Sequence, residues 1–262
     1  MNCRAHGEAP YVTAVVHGGP GAPGSASSLA RLLGVRRGTL EPLQTVLTVE
    51  GQIEELAEQI REYTCEPLTI LGHSWGAWLS CLLAAAHPAA VKKLILIGSG
   101  AFDTAYVPEM ERRRMSRLTA DERIEYQEIQ KRLGKEEENK DRLLERLGLL
   151  AGKADDFCIE DSPENREELI TIDGEQYQRI WNEASEMRGK GQLKRITEQI
   201  KCPVRIIHGV EDPTPIEGVV EPIKDRIQDL RCYKLERCGH TPWKEHYAKE
   251  EFLRIIESEI ME

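Results

Sequence analysis

The pentapeptide Gly72-His73-Ser74-Trp75-Gly76 sets a serine between two glycines, directly after the apolar run Leu68–Leu71 and directly before a helical stretch. A serine on a sharp strand-to-helix turn needs small neighbours, because the turn is strained and the flanking strand and helix close in on it. The chemistry open to such a serine is nucleophilic attack on a carbonyl. A second segment, His17-Gly18-Gly19-Pro20-Gly21, follows the run Tyr11–Val16. Its glycines let a backbone N–H turn toward a developing oxyanion with no Cβ in the way. Paired with the N–H of Trp75 at the start of a helix, that group would complete an oxyanion hole. The segment matches neither common phosphate-binding glycine pattern, which weighs against a nucleotide loop. His17 is expected to orient the loop rather than to react.

A serine nucleophile needs a base, and the base needs a carboxylate to hold its tautomer. Of seven histidines, His240 in Cys238-Gly239-His240-Thr241-Pro242-Trp243 is the one in a loop after the last predicted strand, where a base would reach the serine. The others precede the fold, end a strand or helix, sit in the turn itself or lie on the last helix. For the acid, Asp212 in His208-Gly209-Val210-Glu211-Asp212-Pro213 is favoured, with Glu211 pointing away. Asp103, after another predicted strand, is a competitor, since an acid there would also reach the histidine.

These residues need a scaffold that gathers loops at one edge. Strand-length apolar runs lie at Tyr11–Val16, Pro67–Leu71, Val91–Ile97, Val204–Ile207 and Leu230–Leu235. The middle three are mostly Ile, Leu and Val without alternation, as in strands buried on both faces of a parallel sheet. Helical stretches at Gln52–Tyr63, Ala77–Ala86, Glu217–Ile227 and Lys244–Ile260 alternate with them, which predicts a doubly wound α/β fold.

Charge locates an insertion. Asp103–Lys201 holds 24 acidic and 19 basic residues among 99, against 37 charges in the other 163 residues. A helical cap over 102–201, set into a core of 1–101 and 202–262, is the expected division. Within it Thr119-Ala120-Asp121-Glu122 reads as a capping box and Ser162-Pro163 as a helix start. Tyr177, Ile180, Trp181, Ala184 and Met187 follow a helical period, and Lys135–Asp141 reads as an exposed helix face.

The four motifs together resemble the α/β-hydrolase superfamily, and HGGPG, GHSWG and GHTPW most resemble its proline iminopeptidase branch. The segment Leu40-Glu41-Pro42-Leu43-Gln44-Thr45 fits the same branch. The resemblance implies Ser74 as nucleophile, His240 as base, Asp212 as its acid, and the N–H groups of Gly19 and Trp75 as the oxyanion hole. It also implies cap carboxylates that hold a substrate ammonium, for which Glu183 and Glu186 beside Trp181 are the candidates. Ordinary solvated helix glutamates would look the same. One departure from the branch is that only about ten residues precede the first predicted strand, so the usual leading antiparallel strands are expected to be reduced or missing.

Function classes narrow accordingly. A net charge of −10 excludes the basic footprint that nucleic acid or an anionic membrane requires. No apolar run has the length of a membrane span, the amino terminus lacks the apolar stretch of a secretory signal, and the seven cysteines form no CxxC pair. The expectation is a cytoplasmic hydrolase with reduced thiols, needing no metal or other cofactor, acting on a small molecule or short peptide. An aminopeptidase, a carboxylesterase or C–C bond hydrolase, and a non-catalytic binding protein on the same fold are the readings in competition.

Overall fold

The structure is a computed structural model, and it describes residues 2–135 and 139–261. Seven strands form one sheet: β1 (Cys3–His6), β2 (Tyr11–Val16), β3 (Gly38–Pro42), β4 (Leu68–His73), β5 (Val91–Ile97), β6 (Val204–Gly209) and β7 (Leu230–Leu235). Their spatial order is β1-β3-β2-β4-β5-β6-β7, with β1 antiparallel to β3 and every other pair parallel. The sheet is thus the doubly wound, mostly parallel one that the alternation predicts. The antiparallel strand β1 is four residues long. Neither β1 nor β3 stands out in the sequence, being short and carrying Arg, His, Gly or Pro in place of an apolar run.

The buried strands sort their side chains by the two-residue period of a pleated sheet. Ala14, Val16, Ile70, Leu94, Leu96 and Ile206 face one apolar layer. Val15, Leu71, Ile95, Ile97 and Ile207 face the other. The first layer is closed by α2 (Val49–Arg61), α3 (Trp75–Ala86) and α9 (Ile216–Val220), the second by α1 (Ser27–Gly34) and α10 (Lys249–Met261). The predicted helix Glu217–Ile227 is regular only to Val220, and the last helix begins at Lys249 behind a short turn at Pro242–Lys244.

Between β5 and β6 lie α4 (Val107–Ser116), α5 (Ala120–Leu133), α6 (Lys140–Asp155), α7 (Gly174–Gly189) and α8 (Gln192–Ile196). Thr119 and Glu122 form the reciprocal capping box at the start of α5, whereas Ser162 precedes only a single turn at Pro163–Asn165. Of the charged run Lys135–Asp141, residues 136–138 lie outside the described residues. Leu118, Tyr126, Ile129, Leu143, Leu147 and Leu150 make a small separate core for α5 and α6. Ile180, Ala184, Leu193 and Ile200 instead join the main core beside Trp78. Packing thus changes within α7, where Tyr177 lies against the α5–α6 cluster and Ile180 and Ala184 join the main core, although the charge-dense stretch runs to residue 201.

Candidate active site

Sheet register brings the loops together. Val16 pairs with Gly72, His73 with Ile97, Ile97 with Ile207, and Gly209 with Leu235, so the carboxyl ends of β2, β4, β5, β6 and β7 form one rim. The chain reverses direction across the sheet between β2 and β4, which is where doubly wound sheets open a crevice.

Ser74 stands in that crevice with φ 54° and ψ −114°, in the left-handed half of backbone space that a side chain rarely enters. The surroundings enforce it. A Cβ on Gly72 would lie 2.3 Å from the carbonyl oxygen of Gly76, and one on Gly76 would lie 2.4 Å from that of Val16. The Ser74 N–H is tied to Ile97 O at 3.0 Å. Trp75 opens α3 and is buried, its indole N–H donating to Gln52.

The glycine loop lies against the serine. A Cβ on Gly18 would come within 3.2 Å of Ser74 Cβ, and Gly19 adopts φ 49°. His17 is buried beneath the loop. Its Nε2 accepts the Gln44 N–H at 3.3 Å, and its Nδ1 donates to Gly18 O at 2.8 Å. These partners assign a neutral tautomer, and burial lowers its pKa, in keeping with a structural role.

His240 Nδ1 lies 2.7 Å from Asp212 Oδ2, while Asp212 Oδ1 accepts the Thr214 N–H at 2.8 Å. Burial works against charge on both partners. The carboxylate nonetheless raises the imidazole above the ordinary histidine range, and the imidazole holds the buried carboxyl below its own. The competing acids are engaged elsewhere: Asp103 pairs with Lys194 at 2.5 Å and Glu211 with Arg117 at 3.0 Å. The His240 backbone is held as tightly as its ring, since its N–H donates to Asp155 O and its carbonyl accepts from His73 Nε2. Ser74 Oγ is not hydrogen-bonded to the imidazole among the described residues, but both side chains line one cavity of about 700 Å³.

That cavity runs from Gly18, Gly19, Ser74, Trp75 and His240 to an apolar roof that includes Met110, Tyr126, Leu147, Tyr177 and Trp181. Trp181, the candidate substrate contact, lines the cavity, stacked between Trp78 and Tyr177 with ring centroids 6.2 and 6.1 Å away. Glu183 and Glu186 do not line the cavity. Glu183 accepts the Val49 N–H at the start of α2, and Glu186 pairs with Lys190 on the surface. A helix turns each successive side chain by about 100°, and two or five positions from Trp181 leads away from its face.

Charged groups that sequence reasoning did not single out do reach the cavity. Arg114 is gripped by both oxygens of Asp155 at 2.7 and 2.6 Å, and Lys244 pairs with Glu167 at 2.6 Å. Asp156 accepts the N–H and hydroxyl of Thr241 on one oxygen, and burial raises its pKa to about 6. Arg188 lies over Trp78 and Trp181. No single motif marks these four positions. Among the described residues no group of three His, Cys, Asp or Glu is placed to hold a metal ion, and no helix is long and apolar enough to cross a membrane.

A family model for the alpha/beta hydrolase fold matches residues 32–247, and the chain belongs to that family. Solved structures share the architecture. VinJ is 18% identical with a TM-score of 0.69, the match covering 99% of this chain and 94% of that one. An esterase from Exiguobacterium antarcticum is 16% identical with a TM-score of 0.65, covering 99% and 95%. A meta-cleavage product hydrolase from Pseudomonas fluorescens IP01 is 16% identical with a TM-score of 0.60, covering 99% and 93%. At such identities the likeness is one of fold. No curated protein matches the sequence.

Proposed function

We propose that this member of the alpha/beta hydrolase family is a serine hydrolase that cleaves an ester or amide of a small, largely apolar substrate through an acyl-enzyme. The observation that carries the reading is the Asp212-bonded His240 sharing a cavity with the strained Ser74. Ser74 Oγ attacks the carbonyl carbon while His240 Nε2 takes its proton. The N–H groups of Gly19 and Trp75 donate to the oxyanion, which then collapses and expels the leaving group with the proton from His240. Water, deprotonated by His240, next attacks the acyl carbonyl and releases the acid and Ser74. Substitution of Ser74 by Ala is expected to abolish turnover of short p-nitrophenyl esters while the fold stays intact. An unchanged rate overturns the assignment.

An aminopeptidase of proline iminopeptidase type is the second reading, and Asp156 favours it. One of its oxygens carries no hydrogen bond among the described residues and the side chain lines the cavity with His240. An ammonium placed there would find a carboxylate that is mostly ionised at pH 7, since its pKa is near 6. Proline and alanine β-naphthylamides assayed beside the esters separate the two. Amide cleavage lost in Asp156→Asn supports the peptidase, and ester turnover without amide cleavage rejects it. The free cysteines suit a reducing compartment, consistent with a cytoplasmic enzyme.

A further inference from the structure

Arg188, near the end of α7, is only 8% exposed yet lines the cavity that holds Ser74. Its guanidinium carbon lies 5.4 Å from the ring centre of Trp78 and 6.0 Å from that of Trp181. Its Nε is closed off from solvent without a hydrogen-bond partner, and among the described residues no carboxylate pairs with the guanidinium. The cavity's other long cations differ, since Arg114 is neutralised by Asp155 and Lys244 by Glu167. Glu111 is the acidic group whose field reaches Arg188, and it too borders the cavity without bonding to it.

An arginine keeps its charge in proteins at neutral pH and presents five N–H donors in a planar fork. Closing its Nε–H off from water with no acceptor in reach is costly, and aromatic faces return only part of the loss. A planar anion of matching width would satisfy the outward N–H groups with two parallel charge-assisted hydrogen bonds. A carboxylate fits better than a phosphate dianion here, because a single guanidinium with Glu111 nearby supplies no second positive charge.

We propose that Arg188 binds a carboxylate of the substrate, so that the cavity takes a small molecule with a free carboxylate remote from the bond cleaved at Ser74. The proposal rests on the hydrolase reading for the cleavage and on Arg188 alone for the recognition. In the test, Ser74→Ala protein is titrated with 3-phenylpropionate, with 3-phenylpropionamide and with inorganic phosphate. Binding is followed by calorimetry and by tryptophan fluorescence, since Trp78 and Trp181 carry the guanidinium. The carboxylate is expected to bind at least about tenfold more tightly than the amide, the usual scale for hydrogen bonds to a charged partner. That preference is expected to vanish when Arg188→Met is added, a change that keeps an apolar stem over both indoles. Arg188→Gln repeats the measurement should the methionine variant not fold. Equal binding of carboxylate and amide, or a preference unchanged in the variant that folds, overturns the proposal. Phosphate binding as tight as the carboxylate overturns the assignment of anion class. None of these titrations needs turnover, so failure here is separate from failure of Ser74 as a nucleophile.

Discussion

The imidazole of His240 and the carboxylate of Asp212 meet at 2.7 Å in a buried pocket where Asp212 is 1% exposed. Charge on either partner would be expensive there alone, and each makes the other's charge tolerable. Asp212→Asn keeps the shape but offers an amide where the imidazole needs an acceptor. The expected result is a fall in kcat on the order of 10⁴ with ester substrates, the loss seen when a triad histidine is left in the wrong tautomer. Steady-state kinetics with active-site titration check it, and a loss below tenfold would remove Asp212 from the mechanism.

The same pair sets a pH dependence. A base acts only when neutral, so activity rises with pH as His240 loses its proton. Although burial opposes it, the carboxylate raises the histidine above its ordinary value of about 6.5. The rising limb of kcat/KM is therefore expected above that value. In Asp212→Asn the residual activity is expected to have its limb at lower pH, because the stabilising charge is gone. Limbs at the same pH in both proteins would contradict this account.

Gly98 tests how tightly the base is seated. Its φ is 51°, and a Cβ there would lie 2.7 Å from His240 O and 3.1 Å from its Nδ1. Gly98→Ala is expected to lower stability by about 1–2 kcal/mol through backbone strain. It is also expected to lower kcat by about 100-fold through displacement of the imidazole, on the scale of a 1 Å misplacement. Thermal melts read the first effect and ester kinetics the second. A loss of stability alone would mean that the histidine loop moves aside freely.

A prediction away from the site concerns Glu259 on α10, which accepts from Lys93, Arg205 and Tyr233 beneath the sheet. Glu259→Ala leaves Lys93 buried without a counter-charge, bonded only to the backbone carbonyl of residue 259, while Arg205 keeps Asp229. The expected destabilisation is about 3 kcal/mol, the scale for breaking a buried ion pair, measured by urea unfolding. Despite burial, the three donors hold the Glu259 carboxyl below its usual value. Its contribution is therefore present above the ordinary glutamate pKa of about 4.3 and lost as pH falls through the lowered folded value. A stability difference between wild type and variant that does not shrink on acidification would refute the assignment.

Local chemistry was the readable part of this chain. The strands Tyr11–Val16, Val91–Ile97 and Leu230–Leu235 have the bounds that their apolar runs predict. Gly72 and Gly76 mark the turn at Ser74 because no other residue fits against the backbone there. The edge strand β1 was hidden: Cys3–His6 pairs on one side only and needs no continuous apolar run, so it carries Arg4 and His6.

The amino-acid sequence by itself determined the five apolar strands and the helices that alternate with them, the serine turn, the glycine loop and the loop histidine, because each depends on contacts within a few residues. Only the tertiary structure decided which acid meets His240, since Asp103 and Asp212 both follow strands and register alone brings Asp212 to the ring. It also sent Glu183 to the start of α2 and brought Asp156 and Arg188 to the cavity. Those positions follow from how α6 and α7 pack over the sheet, and packing joins residues far apart in the chain. Local spacing carries no record of such partners.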